Sequence, residues 1–114
     1  MIIEDAVAFL ADNHPGFSDV PHRIIARLLQ TYEQTTIARL DGERLTGLAI
    51  YQAWPEQYNF LLICSSKEIA AAQNVRWIRR IVEALKDKPT SWYDESDHKV
   101  KELQCHSLHQ SSPQ

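Results

Sequence analysis

Four histidine and cysteine residues near the end of this 114-residue chain have types and spacing that suit a transition metal. Cys105 and His109 lie four apart, on one face of a helix, with His106 between them and His98 a turn or two earlier. The set lacks a second ligand pair in sequence and borders a polar end, so a solvated, incidental cluster is the simpler reading and no metal is expected. A second grouping, Arg76, Arg79 and Arg80 around Trp77, combines guanidinium groups with an aromatic ring, the pairing that holds a phosphate backbone or stacks on a base. The alternative is a solvated helix face with Trp77 lying on a sheet and Glu83 diluting the charge. Tyr93, Asp94 and Glu95 lie at the end of the last expected strand and just beyond it, on the side where open α/β sheets bind ligands. Turn residues and a helix-capping acid account for them more plainly. His14 and His22 belong to a loop and a helix start, and no serine sits in a nucleophile motif with histidine and an acid, so hydrolase chemistry is set aside. Trp54, beside Pro55 after a strand, is either a partner anchor or a lid on the core, and the lid is the commoner case.

The composition bounds what these groups can do. With 44% hydrophobic residues, the chain is long enough for one globular domain without a disulfide scaffold. A net charge of -3 argues against a general electrostatic grip on DNA, RNA or anionic lipid. No apolar run approaches the roughly 20 residues that span a bilayer, and Glu4 and Asp5 interrupt the only apolar start, so neither a membrane span nor a signal peptide is expected. Cys64 and Cys105 form one possible pair, with Cys64 in an apolar strand where a buried free thiol is ordinary, and the expected compartment is the reducing cytoplasm.

Hydrophobic periodicity supplies the elements that must position the candidates. Ile3, Ala6, Val7, Phe9 and Leu10 are spaced for a first helix that stops at Asn13-His14-Pro15-Gly16. Asp19 is a candidate cap for a second, with Pro21 in its first turn and an apolar stripe of Val20, Ile24, Ile25, Leu28 and Leu29. Thr36, Ala38 and Leu40 alternate before Asp41-Gly42, a hairpin signal, and Leu45 to Ala53 reads as the return strand. After the Trp54–Gln57 turn, Tyr58 to Cys64 is an almost continuous apolar run, which predicts a central strand covered on both faces. The long helix that follows carries Ala71, Val75, Ile78, Val82 and Leu85 as its apolar seam and ends at Lys88-Pro89. Thr90 to Tyr93 is a fourth strand, parallel to the third through a right-handed crossover, and Ser96 is a candidate cap for a last helix facing inward with Val100, Leu103 and Ser107. The expected class is α/β with a mixed sheet, ordered α-α-β-β-β-α-β-α, with one domain over 1–108 and a polar tail over 109–114.

That order, with QNVRWIRRIVEAL following FLLICSSKE, resembles the first two-thirds of a GCN5-related N-acetyltransferase, a truncated acyl-CoA N-acyltransferase-like fold. In that family the central strand leads into a loop of the form Arg/Gln-x-x-Gly-x-Gly/Ala and then a helix often ending in a Leu-Glu-Ala-Leu-like run. Here Gln73 falls on the first loop position and Val82-Glu83-Ala84-Leu85 on the run. The two positions that should be small hold Arg76 and Ile78, and no glycine lies between Ser65 and Leu85. The Asn, Tyr and Gly-Phe pattern usual downstream is absent, and no sequence remains for the final two acceptor strands.

What the resemblance implies follows residue by residue. Acetyl-CoA would be held by Gln73, Arg76 and the groups around Ser65 and Ser66, while Glu68 or a carboxylate near Tyr93 would accept the amine proton and Tyr93 would protonate the thiolate. A bulky Ile78 would fill volume that the pyrophosphate needs among the helix N-terminal amides, so the expectation is no cofactor and no standard acetyl transfer. Short degenerate members of this type occur in tailed phages and prophages, which implies an accessory role there. The missing acceptor strands would leave the fourth strand as a bare edge, implying a protein partner or a homo-oligomer. An acetyl-CoA-dependent N-acetyltransferase with an atypical cofactor loop, and a nucleic-acid accessory protein using the arginine helix, are the alternatives.

Overall fold

The computed structural model describes residues 2–94 and 99–103. Its elements are α1 (Ile3–Asn13), α2 (His22–Thr31), β1 (Thr36–Asp41), β2 (Arg44–Ala53), β3 (Tyr58–Ser65), α3 (Ala71–Ala84), β4 (Thr90–Asp94) and β5 (Lys99–Leu103), with single 3-10 turns at Pro15–Phe17 and Glu33–Thr35. One sheet carries the strands in the order β1-β2-β3-β4-β5. β1 and β2 are antiparallel, β3 and β4 parallel, and β4 and β5 antiparallel, so the sheet is mixed as the α–crossover–β pattern predicts. The chain condenses into two compact units, one of residues up to Tyr51 with Leu62–Ile69, the other of Gln52–Leu61 with the residues from Ala70 onward. No helix among the described residues is long and apolar enough to cross a membrane.

The first unit is built on the helical stripe read from α1. Ala6, Val7, Phe9 and Leu10 are buried with Ile25 and Leu29 of α2, Leu48 and Ile50 of β2, and Leu62 and Cys64 of β3. The two-residue period at 48/50 and 62/64 puts these strand residues on one face. Two local expectations give way. Asp19 caps nothing, because α2 starts at His22 behind an extended Pro21 (φ −56°, ψ 140°) with no side-chain cap. Leu40, read in alternation with Thr36 and Ala38, is 55% exposed at the hairpin end of β1, where the β1–β2 register slips and Thr46 of β2 is left without a register partner. The hairpin itself closes at Asp41↔Arg44 with Gly42 at φ 66°, a conformation that favours glycine.

In the second unit α3 buries Trp77, Ile81 and Val82, while Val75 is 40% exposed. The seam therefore runs 77, 78, 81, 82, 85 rather than through Ala71 and Val75; the indole of Trp77 removes far more apolar area from water than a valine can, so it sets which face turns inward. β3 holds the middle of the sheet, but Leu61 is 41% exposed, and the unbroken buried run, Thr46–Ile50, lies in β2 instead. The expected last helix is also corrected. Lys99–Leu103 is a strand, with Tyr93↔Val100 and Asp94↔Lys99 in register, so Val100 and Leu103 belong to β5 and β4 is not an edge. The order ends β-β. A strand partner satisfies the outward backbone groups of β4, which a helix at this position would have left unpaired.

Candidate functional site

The Ser66–Ala70 connection between β3 and α3 is where the cofactor expectation has to be tested, and its backbone is heavily committed. Ser66 N–H donates to the Thr46 carbonyl (2.9 Å), and Ile69 N–H to the Ser66 carbonyl (3.0 Å). Lys67 N–H donates to Asn13 Oδ1 (3.2 Å), and Glu68 N–H to Ser66 Oγ (3.4 Å). Four successive amides, Ser66 to Ile69, thus point at protein acceptors. Phosphate cradles work by leaving such donors free to converge on an anion.

The side chains around this connection hold it in place. Arg39 reaches from β1 across β2 to the end of β3: Nε donates to Thr46 Oγ1 (3.1 Å), and Nη2 to the Thr46 carbonyl (2.8 Å) and to Ser65 Oγ (2.6 Å). Its register partner on β2 is Gly47, which presents no side chain in the path of the guanidinium. Asn13, the last residue of α1, donates through Nδ2 to the Phe9 carbonyl (3.0 Å) while accepting from Lys67, so it ties the helix end to the connection. Ser66 is buried and Ser65 half-buried. The hydroxyls of both serines named as cofactor candidates are therefore partners of the protein's own groups.

Glu68, a candidate base, forms an exposed ion pair with Arg44. The Glu68 carboxylate, through its hydrogen bond and its charge, raises the Arg44 guanidinium pKa further above its ordinary value. Gln73 and Arg76 lie exposed in the first turns of α3, Ile78 is half-buried, and Trp77 is buried and closed to base stacking. No side chain caps α3, so its first-turn amides are those that helix geometry leaves without an intrahelical acceptor. Tyr93, read as the last residue of the fourth strand, and Asp94, read just beyond it, both lie within β4. Glu95, His98, Cys105, His106 and His109 fall outside the described residues, as does the 109–114 tail, and among the described residues no cluster suits a metal ion. Burial pushes the Cys64 thiol up to about 11, which keeps it protonated and unreactive near neutrality.

Arg39, Asn13 and Thr46 are the residues that sequence reading missed. Counting back from the Asp41-Gly42 turn would set Arg39 opposite Thr46, and only the bulge brings it opposite Gly47. A charged residue in a half-buried strand was the available signal.

The architecture is that of an acetyltransferase-like fold. The chain superposes on a Pyrococcus horikoshii protein assigned as an acetyltransferase with a TM-score of 0.64, at 17% identity, covering 78% of this chain. It spans 34% of the length of that protein. No protein-family model and no curated protein sequence matches the chain.

Proposed function

We propose that this acetyltransferase-like domain does not carry out standard acetyl transfer and acts through protein contacts. The observation that carries the reading is the commitment of the Ser66–Ile69 amides to Thr46, Asn13 and Ser66. A pantetheine amide entering there must break hydrogen bonds that already have good partners, and Ser65 Oγ is in turn engaged by Arg39.

The outer strand β5 bears on how contacts are made. β5 carries Lys99 and Lys101, charged residues of the kind that discourage strand addition at that edge. Contacts through exposed side chains are therefore favoured over edge pairing there. Calorimetry of the full chain with acetyl-CoA and with CoA tests the proposal, using Arg76→Ala as the control for the exposed guanidinium on α3. The expected result is no heat of binding at millimolar cofactor. Micromolar binding weakened by Arg76→Ala would overturn it in favour of an N-acetyltransferase with an atypical cofactor loop.

A further inference from the structure

The exposed indole of Trp54 sits on an unusually well-tethered turn. Trp54 N–H donates to the Gln57 carbonyl (2.8 Å), leaving Pro55 and Glu56 at the tip. Lys88 Nζ donates to the Trp54 carbonyl (2.7 Å) and lies 4.6 Å from the centroid of the Tyr58 ring. Tyr58 O–H donates to the Asp87 carboxylate (2.9 Å to Oδ1), and Gln57 Nε2 donates to Ser91 Oγ (2.7 Å). The turn is thus fixed at both ends and through its backbone, yet Trp54 is 41% exposed. A large aromatic held in one backbone geometry loses little entropy on binding, which is the character of an interface anchor. Because Lys88 is committed to the turn and Asp87 accepts from Tyr58, the charge left at the tip to face a partner is the exposed carboxylate of Glu56.

A receptor of matching chemistry exists on the same molecule. Within the first unit, α1 and α2 form an open groove of about 430 Å³, lined by Ile3, Val7 and Ala26, with His22 and Arg23 on the α2 wall and Glu4 on the α1 wall. It contains none of the cofactor candidates. Its volume lies in the range of pockets that take compact ligands. The apolar residues and the Arg23 side of the groove, across from Glu4, complement an indole and a proline carried beside the single carboxylate of Glu56.

We propose that the Trp54–Gln57 turn of one chain docks in the α1–α2 groove of a second copy. This deepens the protein-contact reading, on which its functional meaning rests, by naming the partner. Turn and groove are different surfaces, so a pair of copies joined by one such contact keeps one free turn and one free groove between them, and a reciprocal second contact closes the pair. Trp54 fills the groove over Ile3, Val7 and Ala26, and Glu56 meets Arg23.

Sedimentation velocity on the full chain from about 10 μM to 1 mM, with amide and indole NMR shifts over the same range, tests this. The expected result is concentration-dependent self-association, with the Trp54 indole and the Val7 and Ala26 amides shifting together. Trp54→Ala should weaken association by at least about 30-fold, the loss typical of a central anchor. Ala26→Arg, which fills the groove, should do the same. Mixing those two variants should yield a dimer that stops at two copies, because only one intact turn and one intact groove remain to meet. Arg23→Glu should weaken association and Glu56→Arg in the partner restore it, a pair of surface changes that leaves both cores untouched. A monomer throughout, association that survives Trp54→Ala, or no dimer from the mixture would overturn the inference. Repeating the series with acetyl-CoA separates the two proposals: cofactor binding with self-association intact sinks only the non-enzymatic reading, and a monomer that ignores cofactor sinks only the docking.

Discussion

Replacing Arg39 by alanine should loosen the β3–α3 connection and cost about 2 kcal/mol of stability. Three hydrogen bonds to a charged donor, taken at face value, would suggest about 5 kcal/mol or more. The partners reduce that figure. The Thr46 carbonyl keeps Ser66 N–H as a donor, and Thr46 Oγ1 still donates to the Arg39 carbonyl at 3.2 Å, a backbone group that survives the substitution. Ser65 Oγ alone loses the donor described for it, about 1 kcal/mol in a half-buried setting, and the loss of the arginine stem over Gly47 adds a similar amount. For a domain of this size the expected fall in Tm is roughly 6–12 °C. Urea unfolding with hydrogen exchange on the same samples reads both consequences. The Ser66 and Ile69 amides should lose protection in Arg39→Ala, while amides in the middle of α3 should change only by the global loss. A stability change under about 0.5 kcal/mol, or uniform exchange across the chain, would show that Arg39 does not organise the connection and would remove the reason given for its closed backbone.

Trp77→Ala should destabilise by about 3–5 kcal/mol in urea, more than Val75→Ala, because Trp77 is buried and Val75 is 40% exposed; the reverse ranking would restore the seam through Val75. In a Cys105→Ser background, Cys64 should react with a thiol reagent at pH 8 roughly 100-fold more slowly in the folded chain than in urea, as a thiol with a pKa of about 11 requires. The sign of the linked effect is fixed: between about pH 9 and 11 the unfolded thiol ionises and the folded one does not, so stability falls as pH rises. The advantage of that protein over its Cys64→Ala derivative should narrow across this window, and a constant difference would contradict the buried thiol.

Much of this fold is legible in the sequence because it is written in local patterns. The α1 stripe at Ala6, Val7, Phe9 and Leu10, the Asp41-Gly42 turn and the parallel β3–β4 crossover each follow from a few neighbouring residues. The errors occur where a non-local partner decides. Lys99–Leu103 has helical spacing at Val100 and Leu103, yet the unpaired edge of β4 draws it into a strand, as tertiary hydrogen bonding often overrides local preference. In α3 two apolar seams compete one residue apart, and the burial of Trp77 chooses between them.

The candidate site was harder to read for a related reason. Glycine and side-chain volume at Arg76 and Ile78 can be judged from sequence, and they argued against a phosphate cradle. The stronger obstacle is made of backbone donors and of residues 20 to 54 positions away: Asn13 for Lys67, Thr46 for Ser66, and Arg39 for Ser65. A side-chain motif cannot record whether an amide has found an acceptor. This also orders the causes. If the bulk at Arg76 and Ile78 were the sole obstacle, introducing small residues there would recover cofactor binding. With the Ser66–Ile69 amides committed, the double change to glycine and alanine alone should still leave acetyl-CoA unbound, and binding recovered by those two changes would refute the closed connection as the deciding feature.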